Sequence, residues 1–388
     1  MANIYNPATI NVTAISPDVI DGNARELAST NMVQLYEGAP EVRNIIVHEA
    51  KGGLFADNMW SENRWDNRTL PWDGVGQDVS HCLTTEEVAR FAKIDFPIIR
   101  TGGAIPCTLS NGIVIYPDMP NFSSFLRVGD YDPDTKTLHC YFIGYGSASM
   151  TPIENHDMLS LADLLHQMGF RYVNAGMFDQ GKVTFMTMLW EDNCIVAETK
   201  VDYYVVIVNS FDGSKPFGVY ITPICPTCKN TLALAIRKAV RFWKIRHTRN
   251  APFRVEAIKQ GLEMLNFYRQ GLEAHINKAK LITMDRDAVR GFVNALFPIN
   301  EGMTQRMIAN MERQRSEMLL RYDAPDLIDM EPSVWRTECM LTDFYSANHV
   351  EPLKHTQGYR ANQFKKNLDG NADLNKATEI LNSRYDVY

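Results

Sequence analysis

No stretch of eighteen apolar residues occurs in this 388-residue chain, so a membrane-spanning helix is not expected. The opening "MANIYNPATINV" lacks the basic and apolar regions of a secretory leader, and no secretory signal is expected. Cysteine is sparse and odd in number, seven residues scattered along the chain, which argues against a disulfide framework and for reduced thiols in a cytosolic setting. Acidic residues are missing altogether between Asp212 and Glu256. That gap holds nine cations: Lys215, Lys229, Arg237, Lys238, Arg241, Lys244, Arg246, Arg249 and Arg254. The whole chain is nonetheless acidic, with a net charge of −7, so it is not a general basic coat for nucleic acid. The uneven charge admits two readings: an anionic partner for this segment, or neutralisation by acidic segments folded against it.

A hydroxyl is also missing where one motif needs it. "AGMFDQGKV", residues 175 to 183, spaces Gly176, Gly181 and Lys182 as G-x-x-x-x-G-K, but Val183 replaces the Ser or Thr that would hold Mg²⁺. A phosphate loop must also open a helix, whose N-terminal N–H groups hold the anion. "KVTFMTMLW" is β-branched and aromatic and reads as a strand. Gly176 and Gly181 are therefore expected to bound a chain reversal, with no nucleotide cofactor.

What is present reads as strands first and helices later. Residues up to about 80 show turn-rich composition. Thr84 with Glu87 makes a capping box ahead of "EVARFAKI". "GIVIYP", "SFLRVGDYD" and "TLHCYFIGYG" read as strands, and "MLSLADLLHQMGF" as a helix ending at Gly169. Strands follow near 183–191, 202–209 and 217–224, the last two joined by a hairpin turn at Asp212 and Gly213. Helices are expected from Asn230 to about 241, from about Val255 to Ile282, and near 285–297, 303–321 and 333–346. The polar tail after about 350 is expected to wrap the surface or fray. The order implies an α+β fold: an antiparallel β-sheet core with packed helices and a mostly helical C-terminal third. The organisation reads as an irregular N-terminal extension (1–70), a core domain (71–300) and a helical extension with a polar tail (301–388).

No catalytic residue or metal ligand is assigned. Cys225 and Cys228 form a lone C-x-x-C with no matching second pair, which suits structural cysteines better than zinc or redox chemistry. Glu191 and Asp192 are strand-end neighbours pointing to opposite faces and suit a solvated turn. Met303, Met307 and Met311 recur every fourth residue, a core stripe.

The basic segment is the functional candidate. Single-strand binding needs cations for phosphates and aromatic faces for bases, with stacking worth ~1–3 kcal/mol per base. Lys229, Arg237, Lys238, Arg241, Lys244, Arg246 and Arg249 supply the first, with Phe242 and Trp243 the second and His247 beside them. The aromatics could equally end a helix inside the core.

Several stretches together resemble a phage- and plasmid-like family called domain of unknown function 932. "PWDGVGQDVSHCLTTEEVARFAKIDFPI" is similar to its opening Trp-x-Gly-x-Gly element and short helix, and "NAGMFDQGKVTFMTML" to its Ala-Gly hairpin. "NSFDGSKPFGVYITPICPTCKNTLALAI" resembles its Asn-Ser-x-Asp-Gly-Ser turn and Cys-x-Asn-Thr-Leu, and "IRHT" a short His-Thr element. The resemblance covers roughly residues 70 to 300. Cys225 stands where Arg is frequent and Asp73 where His is common. The resemblance implies a mobile-element product inside a bacterial host cytoplasm and supplies no reaction.

The reading is a non-enzymatic, single-stranded-DNA-binding or annealing protein serving recombination or replication. Alternatives are a structural or host-interaction protein, and an enzyme using Cys228, Asn230 and His247. A host or phage protein and a second copy of the chain are further possible partners, and a membrane is not.

Overall fold

The computed structural model describes residues 76–104, 118–147, 150–196, 199–211, 216–224, 265–325, 327–345 and 371–386, with residue 110 and short strands elsewhere. Those short strands are β1 (Ala8–Asn11), β2 (Asp18–Ile20), β3 (Asn23–Arg25), β4 (Met32–Leu35) and β5 (Asn44–Glu49), together with two later ones at 107–108 and 114–115 and one at 244–245. The first seventy residues, read as irregular, thus carry five strands.

The chain continues through β6 (Gln77–Asp78), α1 (Thr85–Phe91), β7 (Ile98–Ala104), β8 (Cys107–Thr108), β9 (Val114–Ile115), β10 (Asp118–Asp132) and β11 (Thr137–Ser147). At the start of α1 the Thr84 hydroxyl accepts from the Glu87 N–H at 3.2 Å, as its sequence signature implies. The returning Glu87 carboxylate reaches the Leu83 N–H instead of the cap residue, at 2.8 Å. Strand β10 extends back through Pro120, where the pairing with β7 shifts register between Met119 and Ser123, because proline has no N–H to give a ladder.

Then come α2 (Asn155–Gln167), β12 (Arg171–Phe178), β13 (Val183–Val196), β14 (Thr199–Ser210), β15 (Phe217–Ile224) and β16 (Lys244–Ile245). Five more helices follow: α3 (Leu265–Leu281), α4 (Arg286–Leu296), α5 (Gln305–Tyr322), α6 (Val334–Tyr345) and α7 (Ala372–Tyr385). Helix α2 closes at Gly169, whose φ of +96° is open to glycine without strain. Helices α4 and α5 start where Asp285 and Thr304 cap them.

Two six-stranded sheets organise the fold, in the orders β1-β4-β7-β10-β11-β5 and β16-β15-β14-β13-β12-β6. Neighbours pair antiparallel except β5, which lies parallel to β11. The architecture is α+β. One large core joins Phe125 and Ile143 of the first sheet, Met186, Tyr203 and Val205 of the second, and Leu161 and Leu165 of α2. It continues into Phe292, Met318, Trp335 and Leu381 of the later helices. The helices after residue 300 therefore share the sheet's core. A smaller cluster of Ile45, Ile99, Leu126, Val128, Leu138 and Cys140 lies on the first sheet, formed by strand residues that alternate with the large-core set.

The tail differs from expectation. Helix α7 starts where Asn371 caps it and buries Leu374, Ala377 and Leu381, a stripe at helical spacing. The methionine stripe also differs: Met303 precedes α5, Met307 is exposed, and only Met311 packs against the core. Glu191 and Asp192 lie inside β13, not at a turn, in a stretch where the pairing with β14 shifts register on both sides of Glu191.

Candidate functional site

The basic segment meets the described fold at one place. Lys244 and Ile245 form β16, which pairs with Gly218 and Phe217 of β15 and makes the outer strand of the second sheet. Lys229, Arg237, Lys238, Arg241, Phe242, Trp243, Arg246, His247 and Arg249 lie outside the described residues, as do Asp212, Gly213, Cys225, Cys228 and Asn230. The helix read at 230–241 and the start of that read at 255–282 lie outside them too. Beside β16, Tyr220 turns back over Gly218, where any Cβ would strike its hydroxyl. Burial pushes the Tyr220 phenol up to about 12.

The glycine motif resolves into a strand and a turn. Gly176 sits inside β12, opposite Phe185, and so does not bound the reversal. The reversal is Asp179–Gln180–Gly181, with φ values of +48°, +60° and +101°. Three successive left-handed residues, two of them with side chains, form a strained connection. The chain then enters β13, a strand, so no helix N-terminus follows Lys182. A Cβ at Gly181 would stand 2.6 Å from Arg127 Cδ and 2.8 Å from Phe96 Cζ, so the turn rests on the first sheet's side chains.

Arg127 is the charged group at this junction. It pairs with Tyr141 across β10 and β11, which puts both side chains on one face. Its guanidinium carbon lies 4.5 Å from the Tyr141 ring centroid and 5.1 Å from that of Phe96. Arg127 Nε is buried without a hydrogen-bond partner among the described residues, and so is Gln180 Oε1 in the turn. Burial moves the guanidinium below its ordinary value, while Tyr141, Asp130 and Cys140 act the other way. Next along the same face, His139 Nδ1 and His48 Nε2 are 2.9 Å apart, and the His48 ring lies 5.3 Å from the Tyr141 ring. This cluster escaped the sequence reading because Arg127, Tyr141 and His48 meet only through strand register.

A second polar cluster sits in the helical layer. Every residue of α6 from Val334 to Phe344 is buried, including Arg336, Glu338 and Asp343. Charged residues seldom bury without partners, and these have them. Arg336 donates to the carbonyls of Tyr322 at 2.8 Å and Met330 at 2.9 Å, and stacks 4.0 Å over the Tyr322 ring. Glu338 Oε2 pairs with His275 Nε2 at 2.8 Å, and Asp343 forms an ion pair with Arg321. The network fixes α6 against α3 and α5. The signal for it was legible in "VWRTECMLTDF", a helix with no continuous polar face.

The thiols at described positions are not activated. Cys82, Cys140 and Cys339 are free and buried. Burial pushes Cys140 up to about 12, and burial with Glu87 raises Cys82, which leaves both protonated near neutral pH. Among the described residues no group of three His, Cys, Asp or Glu side chains could hold a metal ion. Among the same residues no helix is long and apolar enough to cross a membrane.

No curated protein and no solved structure matches the chain. One family does, over residues 143–378. The matched region starts well after the Trp-x-Gly-x-Gly element at 72–76 and runs on through the C-terminal helices, so the family core lies further along the chain than the 70–300 span of the motif resemblance. It holds the Asp179–Gly181 turn, the basic segment and buried helix α6, and leaves Arg127 and β10 outside. The match covers more than half of the residues, and the chain belongs to the family described as Domain of unknown function (DUF932).

Proposed function

We propose that the chain binds single-stranded nucleic acid through residues 229–254, as a non-enzymatic accessory protein of a phage or plasmid in the cytoplasm of a bacterial host. Single-stranded DNA binding or annealing during recombination or replication is its most concrete form. The observation that carries this reading is the charge distribution. Nine cations and no carboxylate lie between Asp212 and Glu256, in a chain whose remainder is strongly acidic. A segment free of carboxylates does not repel a phosphate backbone, whereas the rest of the chain does. Its middle is tethered at the open edge of a sheet by Lys244 and Ile245, a place where flanking residues stay near the surface. Lys229, Arg237, Lys238, Arg241, Lys244, Arg246 and Arg249 hold phosphates in this reading, and Phe242, Trp243 and His247 meet bases. The test is the pair Arg237→Glu and Arg241→Glu. Affinity for a single-stranded oligonucleotide should fall at least tenfold at low salt, and unchanged affinity removes the assignment.

A second reading, a host-interaction or structural protein working through protein contacts, is favoured by α3. Phe267 and Leu281 are 72% and 84% exposed there. Their spacing of fourteen residues places them on one side of the helix. Co-purification of a host protein in the absence of DNA would support this reading over the first.

A further inference from the structure

A guanidinium does not lose its proton in a protein, so Arg127 stays cationic wherever it is held. Its surroundings do little to balance that charge. The rings of Phe96 and Tyr141 cover it, and among the described residues it makes no hydrogen bond or ion pair. Asp130 and Tyr141 are close enough to favour its charge, yet burial outweighs them. A half-buried cation in such a setting ordinarily takes a carboxylate or phosphate in bidentate geometry.

The groups around it suit an anion that accepts from several sides. The His48–His139 pair continues the same face from Tyr141, and an imidazole N–H is a donor that a tetrahedral anion can use. Gly129 has no side chain to fill the space beside them, since a Cβ there would stand 2.7 Å from the Tyr141 ring. The turn over Arg127 holds two non-glycine residues at positive φ, a cost that folds retain where a ligand or a mechanism uses the geometry. Its Gln180 amide contributes a buried oxygen without a partner among the described residues. Asp132, the nearest carboxylate to His139 along β10, is engaged by the Thr135 hydroxyl at 2.7 Å.

We propose that Arg127, with Tyr141, the His48–His139 pair and the Asp179–Gly181 turn, forms a binding site for a phosphate monoester. Arg127 supplies the charge and the donor fork, Phe96 and Tyr141 hold the fork in plane, and the turn closes one side. The site is separate from the basic segment and does not depend on that segment binding nucleic acid.

Calorimetric titration with inorganic phosphate tests the proposal. The unmodified chain should bind it with a dissociation constant below about 10 mM. Arg127→Gln should weaken binding at least tenfold, and Arg127→Lys, which keeps the charge and loses the fork, should fall between. Circular dichroism melts of both variants report whether each folds, and Arg127→Lys carries the test if the glutamine variant does not. Comparing a 5′-phosphorylated oligonucleotide with its 5′-hydroxyl form separates a strand end from a free metabolite as the phosphate source. Arg237→Glu with Arg241→Glu should leave phosphate binding unchanged. Absence of phosphate binding, or equal binding by Arg127→Lys and the unmodified chain, overturns the site.

Discussion

Gly181 and Arg127 are in direct apposition: a Cβ built on Gly181 would lie 2.6 Å from Arg127 Cδ. The two residues belong to different sheets, so the turn between β12 and β13 is seated on β10. Gly181 is required twice, for its φ of +101° and for the absence of a side chain.

Gly181→Ala should therefore destabilise the fold by about 2–4 kcal/mol, combining backbone strain with overpacking against Phe96. Gly169 is the control. It has a similar φ of +96° but nothing within 4 Å of an added Cβ. Gly169→Ala should cost only about 1–2 kcal/mol. Urea denaturation of the two variants checks the difference, and equal losses would show that the apposition with Arg127 and Phe96 carries no weight.

Arg336 stands in the middle of the buried helix α6 and holds two backbone carbonyls, those of Tyr322 and Met330. Arg336→Met keeps the length of the side chain and removes the donors. Two buried carbonyls lose their charged partner, and the expected loss is about 3–5 kcal/mol. Thermal denaturation should show a clearly lowered midpoint. A change within error would mean that α6 is held by its apolar contacts alone.

Alkaline pH should unfold the protein through its buried phenols. Tyr220 and Tyr345 are each pushed up to about 12 by burial. Their folded values lie above the unfolded value, so the fold keeps its full stability below about pH 10. Stability is then lost as pH rises from about 10 to 12, because the unfolded chain releases the proton first. Tyr220→Phe should flatten that fall measurably, by about 2–3 kcal/mol at its upper end. An unchanged pH profile in denaturant titrations would contradict the burial of this phenol.

The elements legible in the sequence were those with local signals. Thr84 and Glu87 marked the start of α1, Gly169 marked the end of α2, and alternating β-branched residues marked β13 and β14. What stayed hidden depended on distant partners. Strand β5 is six residues long and is defined by parallel pairing with β11, almost a hundred residues away. Helix α7 looked polar because its buried stripe uses Ala377 and Thr378 beside Leu374 and Leu381. The meeting of Arg127, Tyr141 and His48 follows from register alone, which a single sequence does not display. The basic segment was legible as composition, a property that charge counting reads directly and that fold does not alter.

Binding of labelled single-stranded and duplex oligonucleotides, followed by fluorescence anisotropy across a salt series, tests the central claim most directly. The account predicts tight single-strand binding whose logarithm falls linearly with the logarithm of salt, with a slope of about 0.7 per phosphate neutralised. No binding to single strands at low salt would contradict it.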